Sequence, residues 1–368
     1  MKIQLHDLIG IKSGTHFYLN TFSKKLKCNN IDVIIKSNYG VNKEKAFYPN
    51  VFNGSLIKNL FLLLVCYIKF FWSLTKLTKH EIVIVSLYGT YIDFGLLLIS
   101  LIFKKKVLLD VHEVVMHDFK NQSLGILFKY AFRNCKNSII VHSDKTLITL
   151  QKFGYKKKVI YTPHIHYEIN KLFNLENVHD DVKGSFLDGY LYFLFFGNIM
   201  PSKGIYDLLS AIEKIDFNNS KARVIIAGQD NFNNIETYNN LKEIKKKSKL
   251  FLRYINDDEM KYLFTKSNYV LLPYIDISQS GVLEMAINFK KPVLTSNLKF
   301  FQNILNTHSS FGKYINTKNS TTFAKLIESE ALSNDQMQYY TNTDTEKYFN
   351  DNEFDNLIIK IKNFLIDS

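Results

Sequence analysis

Residues 191–205, LYFLFFGNIMPSKGI, change both periodicity and chemistry within one short stretch, and few folds accommodate that change. Residues 192–196 form an unbroken apolar and aromatic run, the pattern of a strand buried on both faces of a parallel sheet. Gly197 then allows a sharp turn and the close approach of a ligand, and Pro201 presets the loop. Lys203-Gly204 precedes Ile205, Leu208, Leu209 and Ile212, which recur at helical spacing. A lysine at the carboxyl end of a strand and the amino end of a helix is well placed to meet an anion, because the free N–H groups and the dipole there favour phosphate. Neither Gly-x-x-x-x-Gly-Lys-Ser/Thr nor Gly-x-Gly-x-x-Gly occurs here, so any phosphate loop is of another kind. The same residues would also serve an ordinary strand-to-helix turn with a solvated lysine.

Residues 268–294 repeat the grammar: an apolar strand, Pro273 as its stop, a small polar loop, a helix, and a strand from Pro292. The loop carries Asp276, Ser278, Gln279, Ser280 and Gly281, whose small side chains let backbone N–H groups reach a pyrophosphate. Two such turns in one βα array predict an α/β protein with parallel sheets.

Together these residues resemble the carboxyl-terminal half of GT-B glycosyltransferases, most closely the retaining family 4, or group 1, enzymes of bacterial surface polysaccharide synthesis. The resemblance runs through Phe196-Gly197-Asn198-Ile199-Met200-Pro201-Ser202-Lys203-Gly204, Val224-Ile225-Ile226-Ala227-Gly228, Leu272-Pro273-Tyr274, Ser278-Gln279-Ser280-Gly281-Val282 and Lys291-Pro292-Val293. It implies two Rossmann-like domains facing across a cleft: residues 1–166 on the acceptor side, a linker at 167–189, and a nucleotide-sugar domain at 190–345. A closing helix at 346–368 would cross back to the first domain. The implied donor is a nucleoside diphosphate sugar, and the acceptor a lipid-linked or other oligosaccharide. The resemblance calls for no cofactor and no metal. Gly197, Asn198, Lys203, Asp276, Gln279, Ser280 and Gly281 would then hold the donor, with Lys203 the main cation on the leaving pyrophosphate. Gly14, in the first loop, would help from the other domain, and His112 would approach the transferred sugar.

The pattern departs from the family at two positions. Counted back from Lys291-Pro292, the glutamates that bind the sugar hydroxyls and the ribose diol are replaced by Ile277 and Met285. Asp276 and Glu284 keep the same mutual spacing one residue earlier, so Glu284 is a candidate for the catalytic role. One residue of shift on a helix turns a side chain by about 100°, however. Sugar selection and the anomeric course stay open, and two other activities fit the same fold: a nucleotide-sugar epimerase, or a noncatalytic subunit that binds sugar nucleotides or membranes.

The front half is set apart by charge. Residues 1–165 hold 24 Lys and Arg against 9 Asp and Glu, whereas the remainder holds 23 against 25. Such a basic half points to nucleic acid or an anionic membrane surface. A single Trp, lysine in place of arginine and the lack of a recognisable motif argue against nucleic acid. Residues 52–79 read as a long apolar helix on which Lys58, Lys69 and Lys76 fall within about 20° of one another. The stripe suits a membrane-surface helix, and equally the solvated face of a buried one. No leader pattern follows Met1, and apolar runs such as 60–68 and 94–103 are about half the ~20 residues of a spanning helix. The expected location is cytoplasmic, peripheral on the inner face of the membrane. Cys28, Cys66 and Cys135 are few, odd in number and unpaired in spacing, as in a reducing compartment.

Within that half, the strand at 106–109 runs into Asp110-Val111-His112-Glu113, which puts a histidine where α/β sheets bind ligands. A buried histidine bonded to backbone would give the same pattern. His164-x-His166 has the look of a metal pair but lacks a nearby third ligand at suitable spacing, and reads as the cleft edge where the first domain ends.

Overall fold

The computed structural model describes residues 2–10, 15–40, 45–52, 54–103, 106–115, 122–162, 165–166, 169–230, 233–277, 279–333, 339–340, 342–349 and 353–366. The chain divides into two units, Met1–Tyr167 with Asp351–Ser368, and Glu168–Asn350. Each is built on one parallel sheet of six strands, so both are α/β.

The first unit runs β1 (Lys2–Asp7), α1 (His16–Cys28), β2 (Asp32–Ser37), α2 (Leu56–Thr75), β3 (Glu81–Leu87), α3 (Tyr91–Ser100), β4 (Val107–Val111), α4 (Gln122–Asn134), β5 (Ile139–Val141), α5 (Asp144–Lys152) and β6 (Val159–Tyr161). Its strand order is β2-β1-β3-β4-β5-β6. The interior strands β3 and β4 are buried along their whole length, as their continuous apolar sequences require. Edge strand β2 instead mixes exposed and buried residues. Helices α2 to α5 pack over one face of this sheet around Phe70, Leu96, Phe128 and Leu150.

The second unit runs α6 (Asp180–Lys183), β7 (Leu191–Phe196), α7 (Ile205–Lys214), β8 (Ala222–Ala227), α8 (Leu241–Lys247), β9 (Ser248–Phe251), α9 (Asp257–Lys266), β10 (Tyr269–Leu272), α10 (Gly281–Asn288), β11 (Val293–Ser296), α11 (Lys299–Leu305), β12 (Gly312–Ile315), α12 (Ser320–Leu332) and α13 (Asn342–Phe349). Its order is β12-β11-β10-β7-β8-β9. The chain thus winds outward from β7 in one direction and from β10 in the other. The switch point lies between those two strands, where ligands of open α/β sheets bind beyond the carboxyl ends. In the first unit the corresponding point lies between β1 and β3.

The expected closing helix is two helices. The first, α13, ends at Phe349 in the second unit, and α14 (Glu353–Ile366) belongs to the first. In the first unit α14 buries Leu357, Ile358 and Ile361, and the Lys360 ammonium donates to the Tyr161 carbonyl at 3.2 Å. The long apolar helix expected at 52–79 is α2, shorter at both ends.

Candidate functional site

In the second unit the loops after β7 and β10 are joined by backbone bonds. Ile275 N and Asp276 N both donate to the Ser202 carbonyl, at 2.8 and 3.2 Å. Gly204, at φ +71°, lies so close to Pro273 that a Cβ there would overlap the proline carbonyl oxygen. Gly197, at φ +96°, is also in the left-handed region that glycine adopts without strain. A Cβ on it would lie 3.1 Å from Lys203 Nζ and 3.4 Å from Val282 Cγ2. The lysine ammonium and the first turn of α10 therefore converge on one bare stretch of backbone. The ammonium also lies 5.7 Å from the Tyr274 ring centroid. Ser280 caps α10, its hydroxyl accepting from Leu283 N at 3.1 Å. Such a corner offers what an anion binds: a half-buried cation, a helix amino end, and the bare backbone of Gly197 between them.

Of the donor-binding candidates, Gly197, Lys203, Ser280 and Gly281 are thus gathered at the switch point. Asn198 and Asp276 are exposed on the two loops, and Gln279 is half-buried just before the cap. Glu284 is buried one turn into α10, where its carboxylate accepts from the Tyr348 hydroxyl of α13 at 2.6 Å. Met285 is buried as well. Gly14 and His164 lie outside the described residues.

The first unit holds a second cluster. His112 is the first residue past β4 and His142 the first past β5, and parallel register pairs Val111 with Val141. The two imidazoles stack with centroids 4.9 Å apart. Tyr88 stacks on His112 at 4.7 Å, and the Tyr18 ring meets it edge-on at 4.7 Å. Asp110, fully buried, accepts from the Tyr18 hydroxyl at 2.9 Å; its other oxygen lies 2.6 Å from His142 Nε2, and His112 Nε2 is 3.4 Å from the carboxylate. Burial alone would raise the Asp110 pKa. The two histidines and their hydrogen bonds outweigh it and hold the carboxyl well below the usual carboxylate range.

His142 Nδ1 is 3.1 Å from the Thr162 carbonyl, which can only accept, so that nitrogen carries hydrogen. The 2.6 Å contact with Asp110 is made by the other ring nitrogen, Nε2, so the imidazole is held from both sides. Asp110, His112 and His142 also bring three ligand atoms within 4.8 Å, enough for a cation in principle. Yet ligands of one tetrahedral ion about 2.1 Å away stand about 3.4 Å apart, and the Asp110–His142 contact is shorter. The contact is that of a hydrogen bond. Asp7 sits beside the cluster at the β1 switch point, accepting from Ile9 N at 2.8 Å and Gly10 N at 3.1 Å. Burial raises its pKa against the opposing pull of those bonds and His112.

His112, with Asp110 to orient it, was legible in the sequence, whereas Tyr18 and His142 were not. Tyr18 was hidden because the helical pattern pointed to its neighbours Phe17 and Leu19, and His142 because His142-Ser143-Asp144 reads as a helix cap. Ser143 does cap α5. The available signal was a histidine just past two strands in succession, the first preceded two residues earlier by an aspartate.

Residues 179–347 match the family described as glycosyl transferases group 1. The match falls on the second unit. The matched residues contain both turns at the second switch point, Lys203 and the amino end of α10. No curated protein sequence matches the chain significantly. Among solved structures, the chain resembles sucrose-phosphate synthase from Thermosynechococcus elongatus, with a TM-score of 0.67 at 12% identity over 100% of this chain and 99% of that one. It is similar to a glycosyltransferase from Rickettsia africae, with a TM-score of 0.66 at 17% identity, covering 100% and 99%. The Anabaena protein HepE, solved with UDP and glucose, gives 0.65 at 14% identity, covering 99% of each chain. At these identities the likeness is one of fold, and the two six-stranded parallel sheets match the GT-B architecture.

Proposed function

We propose that the chain transfers a sugar from a nucleoside diphosphate sugar to a lipid-linked saccharide acceptor, in surface polysaccharide synthesis at the inner face of the cytoplasmic membrane. The observation that carries the donor half of this reading is the convergence of Lys203 and the start of α10 on Gly197. The leaving pyrophosphate gains charge as the glycosidic bond breaks. A cation and amide groups already aimed at that position stabilise the developing charge without reorganising, an effect on the order of 3 kcal/mol per key donor. This chemistry needs no metal, and retention of anomeric configuration accords with the family. HepE binds UDP and glucose, so UDP-sugars are the first donors to try. His112 is the residue proposed to serve the reacting sugar, with Asp110 and His142 fixing its ring. Support for a lipid-borne acceptor comes from the basic first 165 residues, with 24 Lys and Arg against 9 Asp and Glu.

A second reading has one specific observation behind it. Ile277 and Met285 replace the expected sugar and ribose carboxylates, and Glu284 is engaged by Tyr348. A noncatalytic subunit that binds sugar nucleotides would have this pattern. Release of nucleoside diphosphate from a panel of UDP- and GDP-sugars, with and without a polyprenyl-linked saccharide, separates the two. Acceptor-dependent release supports transfer. Binding of donor with no release under any pairing supports the second reading.

A further inference from the structure

Helix α2 presents three sectors. At 100° per residue, Leu63, Cys66, Phe70, Ser73 and Leu74 fall on one side, and all are buried against the first unit's sheet and neighbouring helices. A separate arc, about 160° wide, runs from Leu56 through Leu60, Phe61, Leu64 and Ile68 to Trp72. Every one of these six is exposed, Phe61 at 64% and Trp72 at 58%. Lys58, Lys69 and Lys76 lie together along one margin, between the apolar arc and the buried side. Soluble helices put polar residues where α2 puts this arc.

The flanking chemistry says what covers it. Residues 56–79 contain four lysines and no acidic residue. The Lys69 ammonium donates to the Phe47 carbonyl at 2.7 Å, and that of Lys76 stands 5.8 Å from the Trp72 ring centroid, so the cations hold to the rim. An apolar strip about 24 Å long with a lysine margin and a tryptophan suits the boundary between phosphate headgroups and acyl chains. By length and composition α2 could also cross a bilayer. It cannot do so in this fold, because its ends join β2 and β3, which flank β1 in one sheet, and its buried side belongs to the core. A second copy of the chain is disfavoured as occupant, since it would bring two lysine-margined, acid-free surfaces together.

We propose that α2 lies in the plane of an anionic membrane with its apolar arc immersed and its lysine margin at the headgroup phosphates. The proposal deepens the membrane part of the reading above and depends on it only for the acceptor.

Trp72 is the sole tryptophan of the chain and so reports directly on α2. The full chain, with neither donor nor acceptor present, is mixed with phosphatidylcholine vesicles with or without phosphatidylglycerol. The expected result is cosedimentation favoured by phosphatidylglycerol, a blue shift of Trp72 emission, and quenching by acyl-brominated lipid. The variant Leu60→Gln/Phe61→Gln/Leu64→Gln, whose sites are exposed, should keep its melting temperature and partition on the order of 100-fold more weakly. Three outcomes overturn the proposal: no vesicle binding, binding with solvent-like Trp72 emission, or a concentration-dependent dimer without lipid that the triple variant abolishes. Failure here leaves donor turnover untouched, so it is distinguishable from failure of the transferase reading.

Discussion

Gly204 and Pro273, on loops almost seventy residues apart, are in such close contact that a Cβ on Gly204 would overlap the Pro273 carbonyl oxygen. This approach sets the spacing of the two turns at the second switch point. It is reinforced by the bonds from Ile275 N and Asp276 N to the Ser202 carbonyl. Gly204→Ala must therefore move backbone as well as pay for a left-handed φ of +71°. The expected loss is about 2 to 5 kcal/mol of stability, read from urea unfolding, with donor binding weakened in whatever remains folded. Unaltered unfolding would mean the loops part readily and do not define the site.

The buried polar set at β1 gives a pH signature. His6 is fully buried, beside the Tyr48 hydroxyl at 2.5 Å and Gln4 at 3.4 Å. Burial first, then the nearby Lys36 ammonium, lowers its pKa well below the ordinary value. Below about pH 6.5 the unfolded chain takes up a proton that the folded chain refuses. The neutral His6 contribution is therefore complete above that pH and lost as pH falls below it. Melting temperature of the wild type should fall more steeply than that of His6→Gln between about pH 7 and pH 5.5. Parallel curves would show that His6 is not the group refusing the proton.

His112 is held on all sides, by Tyr88 and His142 on its faces, Tyr18 at its edge and Asp110 near its Nε2. A ring so fixed loses little entropy when it meets a reacting group. His112→Ala is expected to lower turnover by roughly 10² to 10⁴, with nucleoside diphosphate affinity nearly unchanged, because acid–base and charge-stabilising contacts act mainly in the transition state. Steady-state kinetics beside calorimetry checks it. Normal turnover, or joint loss of folding and binding, would make His112 a structural residue.

Much of this fold was legible because buried parallel strands leave unbroken apolar runs. Tyr269–Leu272 is the strand that its sequence announces, and Leu191–Phe196 differs from expectation by one residue. The loop chemistry was legible for a related reason: Gly197, Lys203 and Ser280 each have a backbone role that few other residues fill. Strand order was not, since nothing local in β7 or β10 says that they are neighbours. The bonds that tie Asp110 to His142 and Tyr18 were hidden likewise, because this network joins residues up to 124 positions apart. Glu284 could be placed on α10 from sequence, but its engagement by Tyr348 depends on where α13 packs. A lysine stripe was visible in sequence, but only packing shows which apolar residues of α2 are left outside the core.

The central claim is that a nucleoside diphosphate binds where Lys203 and the start of α10 converge on Gly197. Isothermal titration of UDP, and of GDP in parallel, into the wild-type chain and Lys203→Ala tests it most directly. The account predicts binding to the wild type and a loss of roughly 1.5 to 3 kcal/mol in the variant, about 10- to 150-fold in Kd, as for a hydrogen bond to a charged group. Equal affinity in the two proteins would contradict it.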